Sequence, residues 1–432
     1  MGKVVRMGKI RISIHGFVHF NDAEREIINS FYFQRLRNIK QLSLTSYVYP
    51  GATHTRFEHS IGVMEVADRM FSSLSSKRRC KERIETSLKN IGIGIDPAKQ
   101  ILRLSALMHD TGHLPFSHGA ENVLPIGKKH EDVSLAVIQS QREALDKLYS
   151  SEISNAVSQI ISNKPIIPEL KLLKNIISGS IDADRTDYLI RDSYHCGVDY
   201  GIFDSKRLIE SLTVVEGCTD GLELSIDAEG VHALESLIMA RYYMFTQVYY
   251  HKTRRIYDYY LRRYLTDWGT SFAEDLLNVL NEDDISIWQN LRSDAGEDSE
   301  RGRFARRILH RNNHSVLLST SDFADQKDIR KILTVQEKMK KEHEDLDFWV
   351  DQGKGKIHDF FSDGDEEGEE LRITKGSREI LLTEHSRIMR GLPKKFHICR
   401  LYVARKGSRE ELERGCLNEL KNEAMEAERS AS

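Results

Sequence analysis

The chain lacks most of the devices by which a sequence of its size declares a special environment or cofactor. It has five cysteines, Cys80, Cys196, Cys218, Cys399 and Cys416, widely spaced and odd in number, with no CxxC pair. Neither a zinc knuckle nor a disulfide framework can be built on them, and free thiols point to a reducing cytoplasm. No apolar run approaches the ~20 residues that cross a bilayer. The stretch from Met1 to Ser13 alternates basic and apolar residues and does not read as a secretory signal. Charge of one sign is missing too: 63 Lys+Arg against 66 Asp+Glu leave a net charge of −3 at pH 7, so no basic field advertises nucleic acid. Local clusters such as Lys77-Arg78-Arg79 and Arg254-Arg255 read as solvated helix faces. There is no GxxxxGK[ST] segment, which excludes a P-loop machine. Gly92 and Gly94 are followed by Pro97 where a dinucleotide fingerprint needs its third glycine.

What remains is a 432-residue chain of soluble globular composition, 40% hydrophobic and 30% charged. A prior of ~150 residues per domain suggests two or three lobes. The pattern predicts a mainly α fold. Lys9 to Phe20 alternates like a short strand or hairpin, and Asp22 reads as the N-cap of a helix running through Ile27, Phe31 and Leu36. Residues 47–55 and 92–97 read as loops. Helical periodicity covers Glu58 to Leu74, Ala98 to Met108, Glu131 to Tyr149, Ile153 to Ser162, Glu169 to Ser178 and Asp182 to Ser193. Gly217 to Ile226 suggests a hairpin, and Val231 to Tyr264 one long aromatic-rich helix. After about Asp267 the charge rises. The acidic segment 363–370 reads as a mobile loop, Phe396 to Val403 as a strand and Glu410 to Glu428 as a helix. The expected division is therefore a helical catalytic core over 1–267 and a smaller α+β lobe over 268–432.

The chemistry concentrates in residues 109–118, His-Asp-Thr-Gly-His-Leu-Pro-Phe-Ser-His, where an apolar helical segment meets Gly112 and Pro115. His113 follows His109 by four residues, so both imidazoles share a face if the helix continues that far. A second cluster, His54-Thr55-Arg56-Phe57-Glu58-His59, stands where a loop enters a helix. A third, residues 182–192, packs four carboxylates, two arginines and a tyrosine together, with Asp184, Tyr188 and Asp192 on one side of a helix. Taken together, His59, His109, Asp110 and Asp184 supply two imidazoles and two carboxylates. That set leaves positions open for water or phosphate oxygens and suits Mn, Fe, Co or Mg. Tetrahedral zinc is disfavoured by the absence of a thiolate.

These residues also carry a resemblance. The order His59, His109-Asp110, Asp184 is similar to the H…HD…D pattern of the HD-domain phosphohydrolase superfamily. Phe33 to Leu42, Arg56 to Ser60, His109 to His118 and Asp182 to Tyr188 resemble its deoxynucleoside triphosphate triphosphohydrolase branch, which includes a mammalian sterile-alpha-motif/HD-domain enzyme and bacterial relatives. The resemblance extends from His15 to about Lys252 and begins so near Met1 that no sterile-alpha-motif segment is expected. It implies an HD-domain helical core in which His59, His109, Asp110 and Asp184 bind the metal. His118 and His113 would move protons, with Glu121 and His130 orienting them; position 121 carries Glu where the family has Asp. Arg56, Arg185 and Lys252 would hold the triphosphate. Gln41 and Asp192 would meet the sugar 3′-hydroxyl, and Tyr249 with Tyr188 would exclude a 2′-hydroxyl. Leu42 and Arg241 complete the implied substrate contacts.

The resemblance also implies a homo-oligomer, dimer or tetramer, and a site for an activating nucleotide at Asn29, Arg37 and Arg207. Asn29 replaces the family's Asp, and Phe245 its His, which argues against strict guanine-nucleotide control. The expected reaction is hydrolysis of a dNTP to deoxynucleoside and inorganic triphosphate. Two alternatives stay open at this stage. One is an HD hydrolase acting on another nucleotide, a phosphomonoester or single-stranded nucleic acid. The other is a regulator that senses nucleotide without cleaving it.

Overall fold

The computed structural model describes residues 7–217, 221–266, 275–357, 371–376, 378–406 and 412–430. The acidic segment 363–370 and the first residues of the helix expected from Glu410 lie outside them. The chain forms two compact units, each discontinuous in sequence. Unit 1 comprises residues 1–244, 268–285 and 359–392, and unit 2 comprises 245–267, 286–358 and 393–432. Residue 267 is thus one of several points at which the chain passes between units.

Unit 1 opens with an antiparallel hairpin, β1 (Gly8–Ile12) and β2 (Gly16–Phe20), turned at Gly16 with φ 71°. Helix α1 (Asp22–Asn29) is capped by Asn21, not by Asp22 as expected. The Asn21 side chain accepts from the Glu24 amide, and the Glu24 carboxylate accepts from the Asn21 amide. The helix does not reach Leu36 either. Ser30 is extended (ψ 153°) and its hydroxyl donates to Ile27 O, after which Phe31–Gln34 makes one turn and Arg35–Asn38 a 3-10 turn.

The centre of unit 1 is α2 (Arg56–Ser76). Ile61, Val63, Met64, Val66, Ala67, Met70 and Phe71 are buried around most of its circumference, and Glu65, Asp68 and Arg69 mark the strip that reaches toward solvent. It packs on α3 (Ile95–Met108) and on α8 (Ala183–Cys196). The loop expected at residues 92–97 ends sooner than anticipated, because Pro97 sits in the first turn of α3, where its missing N–H forfeits no helical bond. The helix expected over 131–149 is divided at Gln141 into α4 (His130–Ser140) and α5 (Arg142–Leu148). Then follow α6 (Ser151–Ile161) and α7 (Pro168–Ser178). Helix α8 starts at its N-cap Asp182, which accepts from the Arg185 amide, and stops at Gly197 in the left-handed region.

The hairpin expected over 217–226 begins earlier. Its strands are β3 (Leu212–Glu216) and β4 (Leu222–Asp227), and Gly217 belongs to the connection. They join the strands Arg372–Lys375 and Arg378–Leu381 in a four-stranded sheet, β4 pairing in parallel with the former. Helix α9 (Val231–Met244) completes unit 1 among these elements. The long helix expected over 231–264 does not persist. A π-helical turn follows over Phe245–Tyr249, and His251 then adopts ψ 131° and caps α10 (Lys252–Tyr264) through its ring nitrogen.

Unit 2 is a three-layer arrangement. Its sheet has the order β5 (Ser315–Ser319), β7 (Lys395–Arg405), β6 (Leu346–Lys356), all antiparallel, and β6 pairs with β7 over eleven residues. Alternation along β7 sends Cys399, Leu401 and Val403 to one face, where α11 (Gln326–Glu342) and α12 (Arg414–Ser430) cover them with Ile332, Val335, Met339, Leu420 and Ala424. The other face meets α10: Tyr259 stacks on Trp349 at 4.3 Å and Arg255 grips Asp351 through two hydrogen bonds. Leu401→Ala should therefore cost about 2–5 kcal/mol. The expected outcome is a lower unfolding midpoint in calorimetry.

Candidate active site

The site-forming residues of unit 1 converge from the start of α2, the end of α3 and the start of α8. Helix α3 ends at Met108 with His109 as its C-cap, so His109 and His113 do not share a helical face. Two tight turns replace the helix, with the Thr111 amide bonded to Met108 O and the His113 amide to Asp110 O. They send His109 and His113 into two adjoining clusters.

The first cluster joins His59, His109, Asp110 and Asp184. His59 Nε2 stands 3.0 Å from Asp184 Oδ1 and 3.5 Å from Asp110 Oδ2. His109 Nε2 stands 3.3 Å from Asp110 Oδ1 and 3.9 Å from Asp184 Oδ1. The opposite ring nitrogens set the tautomers. His59 Nδ1 donates to Asp187 Oδ2 at 2.8 Å, and His109 Nδ1 to Ala106 O at 2.7 Å. Each Nε2 is buried and faces carboxylate oxygens, and presents its lone pair there once a metal has displaced the proton that His59 holds without one. Lone pair against lone pair is repulsive unless a cation lies between them. This donor set, with its ring N–H groups anchored behind, fits a divalent ion. Burial opposes charge on His59, but Asp184 and Asp187 override it and push its pKa up to about 10. Burial likewise opposes the charge on Asp110, and the Arg56 guanidinium, with the His109 and His113 rings beside it, overcomes this and holds the carboxyl well below its usual range.

Behind His59 lies a hub whose centre, Asp187 and Arg191, is fully buried. Asp187 accepts from His59, from His15 Nε2 at 2.7 Å and from Arg191 through two bonds of 2.8 Å. Arg191 continues to Glu58 at 3.0 Å, and Glu58 accepts from the amide and hydroxyl of Ser13. Gly62 makes room for this hub: a Cβ there would lie 2.0 Å from Asp187 Oδ1.

The second cluster is a chain of imidazoles. His113 stacks on His130 at 3.9 Å. Glu121 Oε1 accepts from His130 Nδ1 at 2.5 Å and stands 3.1 Å from His118 Nδ1. Glu121 thus touches His130 and His118, and reaches His113 only through the stacked ring. Burial would raise the Glu121 carboxyl, but the two histidines hold it far below its usual range. Burial opposes charge on His130, yet Glu121, Glu131 and Asp110 raise its pKa. Burial, aided by Arg56 and His130, lowers that of His113, which stays neutral near pH 7.

The remaining candidates fall into three groups. Arg56 is buried, its Nη1 donating to Asp110 Oδ2 at 2.6 Å and its Nε to Ser117 Oγ at 2.9 Å. Arg185 donates to Asp182, and both Arg185 and Arg241 exert their charge on Tyr188, whose pKa burial pushes up to about 12. Gln41 and Leu42 are buried, the Gln41 amide bonded to His54 O, while His54 Nε2 meets Asp192 Oδ1 at 2.7 Å. Tyr249 and Lys252 belong to unit 2, where Lys252 O accepts from Tyr402. Of the residues expected to read an activating nucleotide, Asn29 is exposed, Arg37 lies over the Phe57 ring at 3.6 Å and Arg207 pairs with Glu229.

Several residues at this site carried no expectation. His15, Glu58, Asp187 and Arg191 form the hub; the i,i+4 spacing of Asp187 and Arg191 was the one visible signal. Arg35 donates to His113 O at 2.8 Å and to Glu282 O at 2.6 Å. Asp284, more than 160 residues beyond the turn it touches, accepts from the amides of Phe116 at 2.6 Å and Lys40 at 3.0 Å. Nothing in its sequence neighbourhood announced it.

Known proteins bear on this arrangement. The HD domain matches residues 56–192, and the HD associated region matches residues 203–347. A protein of Methanocaldococcus jannaschii, described as uncharacterized, is 38% identical over 306 residues, 71% of this chain and 59% of its own length. A Dictyostelium discoideum protein named deoxynucleoside triphosphate triphosphohydrolase SAMHD1 homolog is 31% identical over 264 residues, 59% of this chain and 48% of its own length. The chain thus spans about half the length of these curated relatives. A solved structure of a hypothetical protein from Aquifex aeolicus superposes with a TM-score of 0.76 at 31% identity, over 97% of this chain and all of that one. No helix among the described residues is long and apolar enough to cross a membrane.

Two expected outcomes follow from the first cluster. With His59 pushed up to about 10, the metal-free centre holds a proton that an incoming ion must displace. Mn binding near pH 7.5 should release one proton, and apparent affinity should rise about tenfold per pH unit, levelling off above about 10. Calorimetry in two buffers of different ionisation enthalpy measures the proton directly; release of none would contradict the assignment. Asp187→Asn should weaken Mn binding about 10- to 100-fold, read by the same titration.

Proposed function

This chain belongs to the HD-domain phosphohydrolase family, and on that premise we propose that it hydrolyses deoxynucleoside triphosphates to deoxynucleosides and inorganic triphosphate. The observation that carries the reading is the pair of buried imidazole Nε2 atoms facing two carboxylates, with Arg56 standing beside them. The relatives named as deoxynucleoside triphosphate triphosphohydrolases, and the Arg56–Ser60 and Asp182–Tyr188 segments, support the narrower choice of substrate.

In this reading His59, His109, Asp110 and Asp184 hold a divalent ion. Bound there, the ion supplies Lewis-acid polarisation of a phosphoryl oxygen and activation of water. The chain's own residues do the rest. Arg185 and Arg241 draw in the phosphate chain and offset charge that develops on it. Arg56, fixed by Asp110 and Ser117, places its positive charge at the reacting end. Water oxygen bonds to the α-phosphorus and its proton passes to bulk solvent as the bond from phosphorus to the 5′-oxygen breaks. His118, oriented by Glu121, gives a proton to that leaving oxygen. His130 shares the same carboxylate and is the reservoir from which the proton is restored. His113 stays neutral and packs beside Asp110. Gln41 and Asp192 meet the sugar, Asp192 being steadied by His54, and Tyr188 narrows the space beside its 2′ carbon.

Incubation with each dNTP and NTP in the presence of Mg, Mn, Fe or Co, followed by ion-pair chromatography, distinguishes the outcomes. Deoxynucleoside plus triphosphate is expected; monophosphate plus pyrophosphate would sink the reading. Asp110→Ala should abolish turnover. Tyr188→Ala should narrow the preference for dNTP over NTP by about tenfold or more, measured as the ratio of kcat/KM values.

A further inference from the structure

The turn that carries His118 is held in an unfavourable shape. Phe116 and Ser117 are consecutive residues with side chains in the left-handed region, at φ 57° and 52°. Such conformations cost about 1–3 kcal/mol each and persist only where surrounding structure imposes them. The local helical bonds of the turn, Ser117 amide to Leu114 O and Gly119 amide to Phe116 O, are satisfied by the strained shape and do not enforce it.

The enforcement comes from outside. Asp284, the first residue of the helix Asp284–Asp294, is buried and sends one carboxylate oxygen to the Phe116 amide and the other to the Lys40 amide. Ser117 Oγ closes the loop by donating to Lys40 O at 2.7 Å while accepting from Arg56. Arg35 adds a second strut from Glu282 O to His113 O. One carboxylate therefore bridges two backbones: the strained turn that ends in His118, and the segment that leads into Gln41 and Leu42.

We infer that Asp284 is a positioning residue. It clamps the 113–118 turn to the 38–42 segment, so that the proton-donating imidazole and the sugar-contacting side chains keep a fixed spacing. Asp284 touches no reacting atom, and its effect passes through the Phe116 and Lys40 amides. A side chain with one acceptor cannot serve both donors. Asparagine at this position would turn an NH2 group against one of the two amides. The inference rests on the active-site reading above for what His118 and Gln41 do, but the clamp itself is measurable without any substrate.

The experiment compares wild type, Asp284→Asn, Asp284→Glu and the neighbouring control Ile285→Ala in the full chain. Ile285 follows Asp284 with an exposed side chain. Hydrogen exchange of the peptide covering residues 113–119 reports the clamp. Turnover of whichever substrate the wild type cleaves reports its consequence, and Mn titration reports the metal centre. In Asp284→Asn the peptide should lose protection, and kcat should fall about 10- to 100-fold from a displacement of about 1 Å, with Mn affinity unchanged. Asp284→Glu, which keeps two acceptors, should recover part of both, and Ile285→Ala should match wild type. If Asp284→Asn does not fold, the Asp284→Glu comparison with Ile285→Ala carries the test. Unchanged protection, unchanged kcat or a parallel loss of Mn affinity would each overturn the inference. Failure of the wild type to release triphosphate from any dNTP would instead overturn the proposed substrate and leave the exchange result standing.

Discussion

Everything at the candidate active site depends on one buried carboxylate. Asp187 is fully enclosed and receives His59, His15 and both arms of Arg191, which themselves come from three separate stretches of chain. A carboxylate stripped of water is tolerable only when its oxygens are fully hydrogen-bonded. Removing one partner of such a buried pair typically costs about 3–5 kcal/mol. The same bond that satisfies Asp187 also decides which nitrogen of His59 carries hydrogen. The folding requirement and the coordinating lone pair are thus two ends of a single interaction, and Gly62 exists in α2 to leave space for it.

Much of this was legible in the amino-acid order, and the reason is local. His109 and Asp110 are adjacent, Asp184, Tyr188 and Asp192 are spaced by helical turns, and each cluster adjoins a Gly, a Pro or a capping Asp. Short-range rules of this kind locate the helices and the groups on them. The failures were equally physical. Asn21 outcompeted Asp22 as a cap because Glu24 sits three residues after it, and Ser30 ended one helix and His251 began another within runs whose apolar period passed straight through them. Apolar periodicity does not see a residue that turns its backbone to bond its own hydroxyl or ring. Asp284 and His15 were invisible for another reason: their partners are more than 160 residues away.

The two clusters divide the histidines by environment. His59 and His109 face the Asp110 and Asp184 carboxylates, the places proposed for metal ligands. His118 and His130 share the Glu121 carboxylate, the place proposed for proton transfer. Asp110 stands at the border, within 3.3 Å of a histidine from each set, and Arg56 keeps it ionised toward both. A motif of five consecutive residues, 109–113, therefore feeds two chemistries, because the chain leaves its helix between the first histidine and the second.

Unit 1 is stitched together from three stretches of sequence, with Asp284 in the second and a parallel strand partner for β4 in the third. Such a unit is not a portable cassette. Residues 56–192, which the HD domain matches, hold the four side chains proposed as metal ligands but neither the clamp on their turn nor any strand of the four-stranded sheet. Grafting that segment alone into another chain would transfer its ligands without its geometry. Lineages that exchanged only this stretch would have had to rebuild, from unrelated sequence, the means of holding two consecutive left-handed residues in place.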